Sequence, residues 1–298
     1  MALVVLIGSI SDYQKNYNLI KKEIRKKNIE IAYAIFDEDL RFNFLDGFEI
    51  LESIEELKNK KFDYFILFNQ YPDIYTYIKK MGFKQKIIPL KVFELPNFDF
   101  NKYEQLLENT PSIISRHCWG GLLYNRLGLQ FNSPFINLFI LDKDFNKLSK
   151  DFSYYIKQEL VFDREEYEHN LNRNYPIAKL DDIDIYFNHY ENFEDAKKKW
   201  DERKKRINYK NLFFETTTES RKIAREFVSL PLEHKLCFFR GKTKSRHAID
   251  FSNFMRPHEK SSLGMVANKT ANGEIPYFID PVGLLLNYNY RSRIKFNK

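Results

Sequence analysis

The side chains best suited to chemistry stand in one run, Arg116, His117, Cys118, Trp119, Gly120 and Gly121. A short apolar stretch, Ile113-Ile114, precedes them, and Leu122 to Leu129 follows in helical order. The turn Ser115 to Gly121 is therefore expected at the amino end of a helix, where backbone N–H groups are free and the dipole is positive. Such a place binds anions and favours a thiolate. Gly120 and Gly121 allow a ligand close to the backbone. Three readings stay open: Cys118 is a nucleophile, the turn grips an anionic substrate with help from Arg116 and His117, or Cys118 and Trp119 are packing residues.

His189 closes the run Ile183, Ile185, Phe187, His189, which alternation puts on one face of a strand, with Asp184, Tyr186 and Asn188 on the other. His189 and Asp184 are candidates for acid/base work, and His189 is equally readable as a satisfied core histidine. The loop after Lys235 to Phe239 carries Arg240, Lys242, Lys244, Arg246 and His247. It is no Walker loop, because Leu236 stands where the first glycine belongs. Lys242 and Arg246 remain candidate phosphate contacts, with a solvated basic loop as the alternative. Near the N-terminus Gly8 and Ser9 follow an apolar strand, and Asp37 ends the next one. That is the placing of a dinucleotide site without its glycine fingerprint, so Gly8, Ser9 and Asp37 are cofactor candidates in a fold that is otherwise structural.

The positioning elements come from periodicity. Strands are expected at Leu3 to Ile7, Ile29 to Phe36, Phe62 to Phe68 and Lys86 to Val92, with helices at Tyr13 to Lys27, Ile50 to Leu57 and Ile74 to Met81. Thr110-Pro111 breaks the chain and sets the expected boundary between a domain over 1–110 and another over 111–298. The second domain reads as strands at 113–114 and Phe135 to Leu141, a helix from Asp142 to Leu160, a polar loop from Asp163 to Asn174 and a hairpin around Asp181-Asp182. A helix capped by Asn192, strands at Leu212 to Thr216 and Lys235 to Phe239 around a helix, a strand near Tyr277 to Ile279 and a last helix through Leu284 to Leu286 complete it. The fold class is α/β: two Rossmann-like parallel-sheet domains, the second with an inserted β-hairpin.

Composition narrows the function. The chain has 298 residues, 43% of them hydrophobic, with net charge +7 spread among 41 acidic residues. An even scatter of charge argues against a nucleic-acid binder and leaves room for an anionic small molecule. Two cysteines form no disulfide framework and fit a reducing cytoplasm. The apolar N-terminal run is too short for a signal peptide or a span, and nothing approaches the ~18 apolar residues of a transmembrane helix. Six His and two Cys show no ligand spacing, so no metal is expected, and the identity of any cofactor stays open.

The blocks IISRHCWGGLLYNRLGLQFNSP, YPIAKLDDIDIYFNHY, EDAKKKWDERKKRIN, LGMVAN and YFIDPVGLLLN resemble, in order and spacing, a bacterial exopolysaccharide-biosynthesis family of undefined biochemical role. The resemblance runs from about 112 to 287 and is preceded by a Rossmann-like half domain. Besides the turn and His189, it rests on Asn125, Asn132, Ser133 and Trp200, which adds Asn125, Asn132 and Ser133 to the substrate candidates. It implies assembly of capsule, lipopolysaccharide or surface glycan in the bacterial cytoplasm. The leading expectation is a transferase taking an activated donor such as a nucleotide sugar and a glycan acceptor, monomeric or as a homo-oligomer. The alternatives are a Cys-His hydrolase or acyl-group enzyme built on Cys118, and a non-catalytic scaffold of glycan enzymes.

Overall fold

The computed structural model describes residues 1–38, 43–68, 72–95, 98–169, 172–242, 244–251, 263–272 and 279–287. The chain divides into two compact units, Met1–Gln105 and Leu106–Lys298.

The first unit opens with β1 (Ala2–Gly8), α1 (Ile10–Arg25) and β2 (Ile29–Phe36). β3 (Phe44–Leu45) and β4 (Phe48–Leu51) follow, then β5 (Tyr64–Leu67), α2 (Pro72–Lys80), β6 (Lys86–Pro89) and α3 (Phe100–Glu108), whose last three residues fall in the second unit. The sheet runs β3-β4-β2-β1-β5-β6, parallel throughout except for β3 with β4. Its parallel strands thus take the Rossmann order, reversing direction of growth between β1 and β5. β1 is central because Val4, Val5 and Leu6 are apolar on both faces, and all three are fully buried. Two expectations fail here. The strand expected over Lys86 to Val92 ends at Pro89 and gives way to a 3₁₀ turn, Leu90–Glu94. Ile50 to Leu57 is not a helix but β4 followed by a 3₁₀ turn, Ile54–Asn59. Asp46 and Gly47 take φ of 47° and 93°, the positive pair of a two-residue hairpin turn, and that turn commits Phe48 to pairing with Leu45.

The second unit contains β7 (Ser112–Ser115), α4 (Trp119–Arg126), α5 (Asp142–Lys150) and α6 (Phe152–Tyr155). Next come β8 (Leu160–Glu168), β9 (Arg173–Leu180), β10 (Ile183–Tyr186) and α7 (Phe193–Lys204). β11 (Leu212–Thr218), α8 (Arg221–Ser229), β12 (Lys235–Phe239), β13 (Ala248–Asp250), α9 (Leu263–Asn272) and α10 (Pro281–Asn287) close it. β13-β12-β11-β7 form a parallel sheet. Adjacent strand residues face opposite ways. Phe213 and Phe238 meet Trp119 of α4, whereas Phe214 and Phe239 join Phe145 of α5 and Phe227 of α8 in one core cluster. Helices therefore cover both faces, as a parallel sheet requires.

The expected hairpin supplies two strands, β9 and β10, of a three-stranded antiparallel sheet, β10-β9-β8. Residues 163–174, read as a loop from their polarity, lie largely in β8 and β9. β8 is an edge strand whose charged side chains face water, which defeats a hydrophobicity argument. Phe135 to Leu141 forms no strand, only a bridge from Phe139 to Tyr186. The long helix expected from Asp142 breaks at Asp151, whose φ and ψ are −130° and 53°. Leu284 to Leu286 lie in α10; of the strand expected near Tyr277 to Ile279, Tyr277 and Phe278 fall outside the described residues. Among the described residues no helix is long and apolar enough to cross a membrane.

Candidate functional site

β7 hands the chain to α4 through Arg116, His117 and Cys118 at the carboxyl end of the parallel sheet. Helix and strand are clamped together. The Tyr124 hydroxyl accepts from Ile113 N–H at 2.8 Å and donates to Pro111 C=O at 2.8 Å. A Cβ on Gly120 would lie 2.9 Å from Ser115 Cβ, and one on Gly121 3.2 Å from Ile136 Cγ2. The helix starts at Trp119, earlier than its apolar spacing suggests, so both glycines sit buried in its first turn. Their missing side chains admit β7 and Ile136 rather than a ligand.

Cys118 is the residue before the helix, with φ −62° and ψ −14° and no side-chain cap. Its Sγ lies 3.2 Å from Nε2 of His189, which sits in the turn just beyond β10 rather than on the strand itself. Cys118 is half-buried and His189 is exposed. Burial pushes the thiol up from its ordinary value. Burial, and then the charge of Arg173, pushes the imidazole down. Both shifts favour the uncharged pair, so S–H donates to Nε2 at rest. The first α4 bond runs from Leu122 N–H to Cys118 C=O at 2.9 Å, which leaves the N–H groups of Gly120 and Gly121 without an intrahelical acceptor.

Beneath the turn lies a buried polar network that sequence reasoning missed. Glu215 on β11 is completely buried, and burial raises its carboxyl to about 7. Its Oε2 is 2.5 Å from Ser115 Oγ, and Thr217 Oγ1 donates to its Oε1 at 2.9 Å. Ser115 Oγ is also 2.9 Å from the carbonyl of His117. One hydroxyl proton cannot serve both acceptors. A protonated Glu215 resolves this by donating to Ser115, which donates to His117 C=O. His117 Nε2 is 2.6 Å from Thr217 Oγ1, while its Nδ1 accepts from Trp119 N–H at 3.3 Å. Burial and the charge of Arg116 hold this imidazole neutral, at a value of about 3. The network thus fixes the backbone that presents Cys118. A lone Glu inside LFFETTT, an otherwise apolar and β-branched strand, was the available signal.

A cleft of about 610 Å³ opens at the carboxyl ends of β7 and β11. Arg116, His117, Asp142, Thr217, Thr218, Glu219 and Asn268 supply its polar lining, and Phe139 a ring. Among the described residues its buried Arg116 Nε has no hydrogen-bond partner, and the Asn268 side chain lies beside the His117 imidazole. Burial lowers the Arg116 value, against the opposing charges of Asp142 and Glu215. Asp142 accepts from Thr218 at 2.7 Å.

The other candidates fall elsewhere. Trp119 is a core residue whose Nε1 donates to Thr270 at 2.9 Å. Asn125 is exposed on α4. Asn132 receives the Ser112 hydroxyl on its backbone carbonyl, and Ser133 is buried with its hydroxyl accepting from Phe135 N–H. Asp184 is held by Lys179 and by Arg164; burial alone would raise its carboxyl, but these two cations bring it below the ordinary value. It is bonded to neither Cys118 nor His189. Lys242 and Arg246 are exposed, and Arg246 Nε is 3.1 Å from His247 Nε2.

In the first unit Ser9 caps α1, accepting from Asp12 N–H at 2.9 Å, and Glu38 accepts from Ile10 N–H at 3.0 Å. A Cβ on Gly8 would meet Phe68 Cβ at 2.8 Å. Asp37 is exposed at the end of β2, its N–H bonded to Gly8 C=O at 3.1 Å. The helix start is thus occupied by the protein's own oxygen atoms. Among the described residues no group of three or more His, Cys, Asp or Glu could hold a metal ion.

Comparison with known proteins adds a family. Residues 90–281 match DUF1919, a domain of unknown function. An uncharacterised protein of Haemophilus influenzae is 33% identical over 130 residues, which is 43% of this chain and 60% of the relative. The chain thus spans less than two thirds of the length of this curated relative.

Proposed function

The chain belongs to the DUF1919 family, a domain of unknown function, and from that premise we propose that its second unit is a thiol enzyme of acyl-group chemistry. One observation carries this: Cys118 Sγ lies 3.2 Å from His189 Nε2 at a strand–turn–helix junction. Because both groups rest uncharged, His189 acts as a general base. It takes the S–H proton as sulfur attacks an acyl carbonyl carbon. The carbonyl oxygen gathers charge beside the N–H groups of Gly120 and Gly121. Collapse forms a thioester, and the leaving alcohol or amine takes the proton from His189. Water or an acceptor hydroxyl then loses its proton to His189, attacks the thioester and regenerates the thiol. The test is intact-protein mass spectrometry after p-nitrophenyl acetate, for wild type and Cys118→Ala. A single acetyl adduct confined to the wild type is expected; equal labelling of both proteins sinks the assignment.

A second reading keeps the sugar-type transferase of surface-glycan synthesis. Its support is the polar cleft with an Arg116 Nε that has no partner among the described residues, together with the likeness to exopolysaccharide-biosynthesis proteins. There the cleft holds a nucleotide-sugar donor or glycan acceptor, and Cys118 is dispensable. A thermal-shift panel of nucleotide sugars on wild type and Arg116→Ala separates the two readings. A shift lost on Arg116→Ala but kept on Cys118→Ala favours the transferase.

A further inference from the structure

A second cleft in the family unit, of about 370 Å³, shares no lining residue with the one beside Arg116. The two part at the start of α8, where Ser220 lines one and Arg221 the other. Arg221 and Arg225 stand one helical turn apart on α8, and Lys242 and Lys244 face them from the loop after β12. Among the described residues no carboxylate lines the cleft, and none of these four cations has a side-chain hydrogen bond or an ion pair. Like charges four apart on a helix repel, and further cations in one concave place add to the repulsion. A fold that gathers them without acids gains from a bound counter-charge.

The loop is held in place. Gly241 has φ +143°, and a Cβ there would lie 2.8 Å from the Phe239 ring. Its N–H donates to Asp250 at 3.1 Å. The backbone is thereby pinned over the Phe239 ring, with Arg221 Nη2 3.7 Å from the position of that absent Cβ. Phe239, Val228 and Ala224 give the cleft an apolar wall.

We propose that this cleft is a binding site for a phosphorylated small molecule carrying at least two negative charges, held by Arg221, Arg225, Lys242 and Lys244. Two guanidinium forks suit phosphate oxygens, and the lysines add point charges. The site differs from the sequence expectation in its membership. Lys242 belongs to it, Arg246 does not line it, and the two arginines come from the helix between β11 and β12, where no site residue was expected. It is independent of Cys118 and of the acyl chemistry.

Titration calorimetry with inorganic pyrophosphate at low ionic strength tests it. Saturable 1:1 binding is expected, weakening as salt rises. Arg225→Ala with Lys242→Ala weakens it by roughly tenfold or more, the scale of two lost charge-assisted bonds. Arg225→Gln alone, which keeps the side-chain bulk, weakens it less but measurably, so a folding defect in the double variant leaves a readout. Arg246→Ala and Cys118→Ala bind as the wild type does. Absence of saturable binding, or equal affinity for the double variant and wild type, overturns the site.

Discussion

The two units each contain a parallel strand that turns into a helix, and the two turns are finished in opposite ways. After β1, Ser9 is extended, with φ −90° and ψ 156°, and folds its hydroxyl back over α1. Glu38 covers a further N–H. After β7, Cys118 has helical angles and caps nothing. Its sulfur turns to His189, and the N–H groups of Gly120 and Gly121 carry no intrahelical bond. The first turn has the N–H groups of Ile10 and Asp12 met by side-chain oxygen atoms, as at a structural helix start. The second withholds its own cap and presents a thiol, a base and two donors. Unmet hydrogen-bonding capacity, rather than the presence of a Rossmann-like junction, separates a scaffold from a site.

If that contrast is real, the largest effect is on chemistry in the second unit. Cys118→Ala abolishes acyl transfer at near-unchanged thermal stability, because the sulfur is neither capped nor a core member. His189→Ala lowers turnover by about 10²–10⁴, the usual contribution of a positioned acid–base group. The pH profile sharpens this. The imidazole value is depressed, so the rate rises below the ordinary imidazole range and is flat through neutrality. A wild-type limb at or above the ordinary imidazole value contradicts the uncharged resting pair.

Next in size is the support under the turn. Glu215 has a folded-state value raised from 4.5 to about 7. A carboxyl with a raised folded value binds more protons folded than unfolded between those limits, so its contribution to stability is fullest at low pH and is lost as pH rises towards 7. Glu215→Gln, neutral at every pH, lacks that slope. The difference between wild-type and variant unfolding free energies therefore drifts across this window, by about 1.4 kcal/mol for each step of one in pH. A parallel pair of curves means that Glu215 ionises normally. Gly120→Ala forces a Cβ to 2.9 Å from Ser115 Cβ and 3.0 Å from Ile113 Cγ2. Overpacking of this kind costs about 1–3 kcal/mol, partly offset by about 1 kcal/mol of helix propensity. Gly121→Ala, at 3.2 Å from one flexible Ile136 methyl, is milder. Thermal melts of the two variants rank the contacts.

How much of this was legible follows from which forces are local. The buried β1 run and the helix beyond it are written in hydrophobic spacing, and the parallel α/β class followed. The β3–β4 hairpin was written too, in Asp46-Gly47, but apolar spacing at Ile50, Ile54 and Leu57 outweighed the turn signal. β8 was hidden because a charged edge strand has no apolar pattern. At the site, Cys118 and His189 stood out as residue types, yet their meeting depends on a separation of 71 residues that no local rule closes. Glu215 lies 100 residues from Ser115, and its burial is a property of the assembled sheet. Asp184 was attractive only while the partners of its carboxylate, Lys179 and Arg164, were unseen.

The smallest effect tests the contrast most directly, because it exchanges the two finishes. Ser9→Ala removes the side-chain cap of α1 and lowers the stability of the first unit by about 1 kcal/mol. Placing that same hydroxyl in the second unit, as Cys118→Ser, restores nothing. A capping side chain reaches back only from an extended residue, and Cys118 is held at helical angles by the clamp between β7 and α4 and by the network under His117. Its side chain is aimed at His189 by the backbone, whatever atom it carries. Chemical denaturation of both variants is the measurement. A loss in the first with no gain in the second is expected, and a gain of similar size in the second means that the turn is a helix start awaiting a cap rather than a mount for the sulfur.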